Sequence, residues 1–387
     1  MRRAATVAVL AVVAHVSVAV PSAGAQEPAP EVTLRAKPTT FEHPGTTTLR
    51  GRISPPSKEQ VVQIIDGEGH IRAEALTDAE GRYQTKLSPR ANATLTAQWL
   101  SAISEPVRVR VRAAVETHLR NVRLFGRARA YGRVRPSHRG GRVAVVLLRA
   151  GNVVARHRVR LRDGQWFSTR FRIRKPGTYR ARARFDDADH APGLDHSSFR
   201  TTRLPALSQG STGDYVLALE RRLRALHYFL KGVDRRYDHR TADAVRAFNK
   251  VQGRERVGSV TESTWRALAD PRRAHPRSKA KGFHWEVNQT KQILIGVKNG
   301  KVTSIIHVST GAGGATRDGV FHVFRKVNGY SGGGLYYPSY FDGLRALHGW
   351  REVPTYPASH GCVRLPMWTA KAVYDRSPIG TQVRVYH

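Results

Sequence analysis

The chain carries a single cysteine, two methionines and only 29 acidic residues against 65 Lys and Arg among its 387 residues. One cysteine excludes an intrachain disulfide, so Cys362 is no staple. No cysteine directly follows the N-terminal apolar run, so a lipoprotein thioester anchor there is not expected. No later segment has the length and apolarity of a membrane span, about 20 predominantly apolar residues. The scarcity of acid leaves a formal charge of +36, so an anionic surrounding is expected.

What is present begins with an export signature. Arg2 and Arg3 precede an apolar stretch over residues 4–20, and Ala23-Gly24-Ala25 supplies small residues before Gln26. Residues 1–25 read as a signal peptide, with an uncleaved anchor as the alternative. The mature chain is then expected beyond the cytoplasmic membrane, in the cell wall, periplasm or extracellular space. Hydrophobic residues at 40%, with 34 Gly and 20 Pro, describe a globular chain long enough for two to four units.

Residues 31–115 and 117–203 read as two copies of one β module. Gly51-Arg52-Ile53-Ser54-Pro55 matches Gly132-Arg133-Val134-Arg135-Pro136, and Gly81-Arg82-Tyr83 matches Gly164-Gln165-Trp166. Period-two runs over residues 156–162, 166–173 and 179–185, broken by Asp-Gly and Pro-Gly, predict small antiparallel sandwiches. Both copies resemble bacterial immunoglobulin-like modules. The second carries 22 Lys or Arg against 5 Asp between residues 120 and 203, whereas residues 31–115 carry 12 against 9. Alternation puts these Arg side chains on the solvent face, where they form either a plain solvated surface or an attraction for anionic cell-envelope polymers. Export argues against nucleic acid as the partner.

Helical periodicity takes over in residues 205–270. Val216, Leu219, Leu223 and Leu226 form one apolar stripe, and Ala244, Val245 and Phe248 form another after Thr241. With Gly210-Ser211-Thr212-Gly213, Leu226-His227-Tyr228, Asp234, Tyr237, Gly258, Val260, Thr264 and Leu268, this stretch resembles the type 1 peptidoglycan-binding module, a small three-helix fold. It departs from that pattern at Asn249, where Gln is usual, at Asp234-Arg235 in place of Asp-Gly, and at Asp238 in place of a turn glycine. A plain spacer role is the alternative. Residues 271–282 read as a basic linker.

Residues 283–387 are expected to be β-rich. Alternating Ile293, Ile295 and Val297 lead through Asn299-Gly300, a hairpin turn signal, into the run ending at Val308. Further extended runs are predicted at residues 320–324 and 382–386, and one helix near residues 366–374. Chemistry concentrates in Ala346-Leu347-His348-Gly349 and Ser359-His360-Gly361-Cys362-Val363-Arg364-Leu365. A lone thiol often serves only as a small apolar side chain. As a nucleophile it needs an adjacent base or a positive environment. His360 lies two residues from Cys362 and would share its side of a strand, whereas His348 lies 14 residues upstream and needs a loop to return it. Spacing alone leaves both open. Amides at Gly361 and Cys362 are candidates for an oxyanion hole, and Arg364 for holding a carboxylate.

The run SHGCVRL, with LHG upstream, looks like the L,D-transpeptidase (YkuD) catalytic domain. Val308-Ser309-Thr310-Gly311, Asp318-Gly319-Val320-Phe321 and Tyr337, Phe341 and Gly343 support the match, and Thr316-Arg317-Asp318-Gly319 departs from the usual Thr-Pro-x-Gly. The resemblance implies that Cys362 is acylated with His348 as its base. His360, Gly361 and Gly349 then serve the oxyanion hole or orient the imidazole, and Arg364, Ser359 and Tyr337 are assigned to substrate. It also implies acylation by carbapenems.

The expected chain is thus multidomain and mainly β: two immunoglobulin-like sandwiches, a three-helix peptidoglycan-binding module and a C-terminal L,D-transpeptidase domain. The implied reaction releases D-Ala from a stem tetrapeptide and passes the acyl group to a diaminopimelate amine, a 3→3 cross-link. Carboxypeptidase or endopeptidase action with water as acceptor, and a silent wall-binding protein, are the alternatives. A monomer acting on peptidoglycan is expected, with no cofactor and no metal, since no His/Asp cluster shows ligand spacing along the sequence.

Overall fold

The computed structural model describes residues 29–387, so the expected signal peptide lies outside the described residues. The chain is mainly β and divides into two compact units, the first ending at Val111 and the second running from Arg112 to His387.

In the first unit, strands Glu31–Val32, Thr47–Ser54, Arg35–Lys37 and Arg82–Leu87 make one sheet, and a second is built around Val61–Asp66, Ala93–Trp99 and Val107–Arg112. Val32, Leu49, Ile53 and Tyr83 from the first meet Val62, Ile64, Leu95 and Val109 from the second in one core, the arrangement of a sandwich. The Arg-rich module repeats this plan. Glu116 and its neighbours in Ala114–Arg120 pair with Arg127–Arg135, which pairs with Trp166–Arg172, and a facing sheet holds Asn152–Arg160, Arg142–Arg149 and Thr178–Phe185. Along Arg127–Arg135 and Thr178–Phe185 the apolar residues are buried while the arginines point outward, as their alternation dictates.

The repeated glycine has a packing reason. A Cβ on Gly51 would lie 1.8 Å from the Thr33 carbonyl and 2.4 Å from the Tyr83 hydroxyl, and one on Gly132 would lie 1.8 Å from the Glu116 carbonyl and 2.6 Å from Phe167. Each glycine therefore makes room for an aromatic ring on the next strand. The register pairs Gly51 with Tyr83 and Gly132 with Phe167, so Phe167, not Trp166, is the counterpart of Tyr83. Trp166 stands half exposed instead.

Helices α1 (Asp214–Ala225), α2 (His239–Gln252) and α3 (Glu262–Ala269) bury the predicted stripes. The departures from the family pattern have local explanations. The Asp238 carboxylate accepts from the amides of Arg240 and Thr241 and caps α2. Arg235 adopts φ 69°, the left-handed backbone that a glycine would take without strain. The Asn249 amide donates to the Val257 carbonyl at 2.9 Å, closing the turn after α2.

The C-terminal region consists of two sheets and helix α4 (Met367–Asp375). One sheet runs in the order Lys301–His307, Ile293–Lys298, Phe283–Asn288, Gln382–Tyr386, Gly319–His322. The other runs Arg325–Lys326, Tyr336–Asp342, Arg345–Trp350, Val363–Pro366. Trp285, Val287 and Leu294 of the first pack with Phe341, Leu347, Val363 and Leu365 of the second. The edge strand Lys301–His307 does not end in solvent. Phe229 donates its amide to the Ile305 carbonyl at 3.0 Å and Ile305 donates to His227 at 2.8 Å, so the chain after α1 continues the sheet. Among the described residues no helix is long and apolar enough to cross a membrane.

Candidate active site

His348 lies on one of two neighbouring parallel strands, and Cys362 immediately precedes the other. Leu347 pairs with Val363, His348 with Arg364 and Gly349 with Leu365. Leu347, Val363 and Leu365 point into the core, so Arg364, His348 and Trp350 occupy the opposite face, at the edge of which Cys362 enters its strand. A parallel pair needs a crossover, and residues 351–362 supply it. Cys362 sits beside Ala346, whose backbone contacts its thiol, one residue before the strand paired with that of His348.

His348 is buried at 2% exposure. Its Nδ1 lies 2.9 Å from the Gly349 carbonyl, which can only accept, so Nδ1 carries the proton and Nε2 the lone pair. The Trp350 ring meets it edge-on at 5.6 Å, and the Arg364 guanidinium lies 5.4 Å from the centre of that indole. Burial, aided by Arg364, pulls the His348 pKa down to about 4, against a smaller opposing effect of the Gly349 carbonyl. The imidazole is therefore neutral at neutral pH and able to accept a proton. The half-buried Cys362 thiol donates to the Leu344 carbonyl at 3.7 Å. Burial raises its pKa, while a backbone contact with Ala346 and the charges of Arg364 and Arg345 oppose that rise. The resting pair is a neutral thiol and a neutral imidazole.

Several sequence-level assignments change. His360 is exposed and precedes the strand, which begins only at Val363, so strand alternation does not place it beside Cys362. Ser359 is buried, and its hydroxyl is consumed internally: it donates to the Cys362 carbonyl at 2.6 Å and accepts from the Gly361 amide at 3.1 Å. Ser359 shapes the loop and has no hydroxyl hydrogen left for substrate. By the same contact the Gly361 amide is not a free oxyanion donor. Gly361 is needed for space instead. With φ 125°, a Cβ there would lie 2.7 Å from Arg345 Nε and 2.8 Å from the Ala315 carbonyl. Tyr337 packs edge-on against Tyr336 and the α4 residue Tyr374, on the helix side of the sheet and apart from the Cys362 face.

The residues that hold the cysteine loop carried little sequence signal. Thr316 Oγ1 accepts from the Gly311 amide at 2.7 Å and donates to the Gly361 carbonyl at 2.9 Å. Arg345 donates through Nε to the Ala315 carbonyl at 2.7 Å and through Nη1 to Asp342 at 3.1 Å. Arg317, where the family pattern has proline, makes the second ion pair to Asp342, and holds that carboxyl below its usual range. The only sequence hint of Arg345 was its place three residues before His348.

Residues 282–385 match the L,D-transpeptidase catalytic domain family, and residues 212–268 match the peptidoglycan binding domain family. The structure of residues 123–326 of the L,D-transpeptidase from Xylanimonas cellulosilytica DSM 15894 is 38% identical, covering 48% of this chain and 99% of that one, with a TM-score of 0.45. The chain belongs to the L,D-transpeptidase family. A second family structure, L,D-transpeptidase (Yku) from Stackebrandtia nassauensis, is 27% identical over 47% of this chain and 95% of that one, with a TM-score of 0.30. No curated protein matches.

In this member of the L,D-transpeptidase family, the helical module also touches the loops around the cysteine. Lys250 on α2 is 3% exposed, and its Nζ donates to the Gln292 carbonyl at 2.8 Å, the Val308 carbonyl at 3.0 Å and His307 Nδ1 at 2.5 Å. His307 passes the contact on, donating from Nε2 to the Val353 carbonyl at 2.9 Å in the crossover between His348 and Cys362. Burial favours loss of the lysine proton, whereas three acceptors around one nitrogen match the three hydrogens of an ammonium. Arg256 adds bonds to the carbonyls of Thr355 at 2.5 Å and Thr290 at 2.9 Å. A cleft of about 290 Å³ lined by His227, Arg272, Arg273 and Lys301 lies away from Cys362, and the reactive centre is assigned by its chemistry, not by concavity.

Proposed function

We propose that the chain is an exported cysteine acyltransferase that cross-links peptidoglycan stem peptides. The observation carrying this reading is the buried, neutral His348, its Nε2 lone pair unprotonated, on the sheet face at whose edge Cys362 enters its strand. In the proposed cycle, His348 takes the thiol proton as sulfur attacks the carbonyl after the L-centre of diaminopimelate at position three of a stem tetrapeptide. The tetrahedral intermediate collapses to a thioester, and the same proton passes to the departing D-Ala amine. The side-chain amine of a second diaminopimelate then attacks the thioester, restoring the thiol. Arg345 and Arg364 favour negative charge near sulfur, since both act on its ionisation. The helical module would hold the enzyme on the wall, and the divisions at residues 31–115, 117–203, 205–270 and 283–387 would give it reach.

Incubating the protein with a purified disaccharide tetrapeptide and weighing the products tests the reading. A cross-linked dimer is expected. Tripeptide alone favours hydrolysis, and unchanged substrate with no carbapenem adduct at Cys362 favours the silent binding protein.

The outward arginines of the second β module are proposed to attract anionic wall polymers. Exposed charges separated by more than about 8 Å are screened at physiological salt. Sedimentation with purified cell walls should therefore fall as NaCl is raised, and retention that ignores salt would remove this part of the proposal.

A further inference from the structure

The Arg-rich module brings together three side chains that the sequence keeps apart. His138 sits in the loop over residues 136–141, and Asp187 and His190 sit in the loop over residues 186–192, both at one end of the sandwich. His138 Nε2 lies 3.2 Å from His190 Nδ1 and 3.4 Å from an Asp187 oxygen, and the other Asp187 oxygen lies 3.0 Å from His190 Nδ1. The imidazoles are 9% and 6% exposed, and Phe185 packs on His138 with ring centres 4.3 Å apart. The expectation that no His/Asp cluster has ligand spacing therefore fails in space, because antiparallel pairing of Arg142–Arg149 with Thr178–Phe185 brings the loop of His138 to one some 50 residues later.

We propose that His138, Asp187 and His190 form a binding site for a divalent transition metal of the zinc type. The spacing fits the ion. Zinc held tetrahedrally at about 2.0–2.1 Å sets its ligands roughly 3.3 Å apart; the two nitrogens are 3.2 Å apart, and each lies 3.0 or 3.4 Å from a different oxygen of Asp187. Hydrogen bonds alone fit less well. If both rings donate to Asp187, two N–H groups lie 3.2 Å apart with nothing to accept between them. If either ring gives up that proton, its lone pair accepts from the other ring's N–H but also faces a carboxylate oxygen. A cation between the two nitrogens and the carboxylate is favourable to all three groups, with both nitrogens presenting lone pairs. Two imidazoles with one carboxylate select a transition metal over calcium or magnesium, which take oxygen ligands.

Local charge supports the same assignment. The module has only five acidic residues between positions 120 and 203, and Asp186, Asp187 and Asp189 place three of them in this loop. An exported module without cysteine would gain from the ion what others gain from a disulfide, a tie between two loops.

The test uses the full chain, stripped with a chelator and titrated with ZnCl₂ by calorimetry and with Co²⁺ by visible absorption. One tight zinc per chain, a raised melting temperature and a tetrahedral Co²⁺ spectrum are expected. Asp187→Asn and His190→Gln should each weaken binding at least tenfold and remove the spectrum. Wild-type protein that binds no zinc overturns the site whether or not the variants fold. Equal binding by the wild type and by folded variants also overturns it, assigning the ion to surface histidines.

Discussion

Cys362→Ala should abolish D-Ala release from the tetrapeptide, a loss on the order of 10⁴-fold or more, since Cys362 is the group acylated in the proposed cycle. His348→Ala should cost about 10²–10⁴-fold, the range for losing a positioned general base. His360→Ala should retain more activity, and more thiol alkylation at neutral pH, than His348→Ala. The two histidines differ in position: one is fixed on the sheet face by the Gly349 carbonyl, and the other is exposed ahead of the strand. The reverse order of damage would transfer the base to His360.

The same pair predicts a pH signature. With His348 held down at about 4 and the thiol raised, no imidazolium–thiolate pair exists at rest. Alkylation of Cys362 should keep rising with pH into the alkaline range, and a plateau between pH 5 and 8 would contradict this. The stability consequence has a definite sign. His348 unfolded accepts its proton near pH 6.5, but folded only near pH 4. Its contribution is complete above pH 6.5 and is lost as pH falls through that window, by at most about 3 kcal/mol.

Lys250→Met should strongly destabilise the contact between the helical module and the loops around Cys362. The substitution keeps the aliphatic stem but leaves the carbonyls of Gln292 and Val308 and the His307 nitrogen without their donor. Each buried polar group left unpaired costs about 1–3 kcal/mol, so a loss of about 3 kcal/mol or more is expected in chemical denaturation. Turnover should fall as well, because His307 carries the contact to Val353 in the crossover. The exposed Arg221→Ala on α1 serves as the control. Unchanged stability and turnover in Lys250→Met would show that the helical module is only tethered to the catalytic region.

Much of this was readable before the structure. The stripe at Val216, Leu219 and Leu223, the hairpin at Asn299-Gly300 and the outward arginines follow from periodicity, which reports burial directly. The glycine of the repeat was visible, but its aromatic partner was misaligned by one residue, because a match of letters cannot see that Phe167 faces Gly132 across a strand. Ser359 looked available for substrate because its type suits hydrogen bonding. Only the loop geometry shows that both neighbours on the chain already use it.

The sequence by itself determined the order of the elements, the face each buries, and the identity of the thiol and of two histidines able to serve it. Local propensity and side-chain chemistry are properties of short segments, so they survive in the letters. The tertiary structure decided that His348 is buried and held by the Gly349 carbonyl while His360 is exposed, how α2 reaches the crossover, and that His138 meets Asp187 and His190. Those are contacts between distant segments. They depend on strand register and loop closure, which no single window of sequence contains.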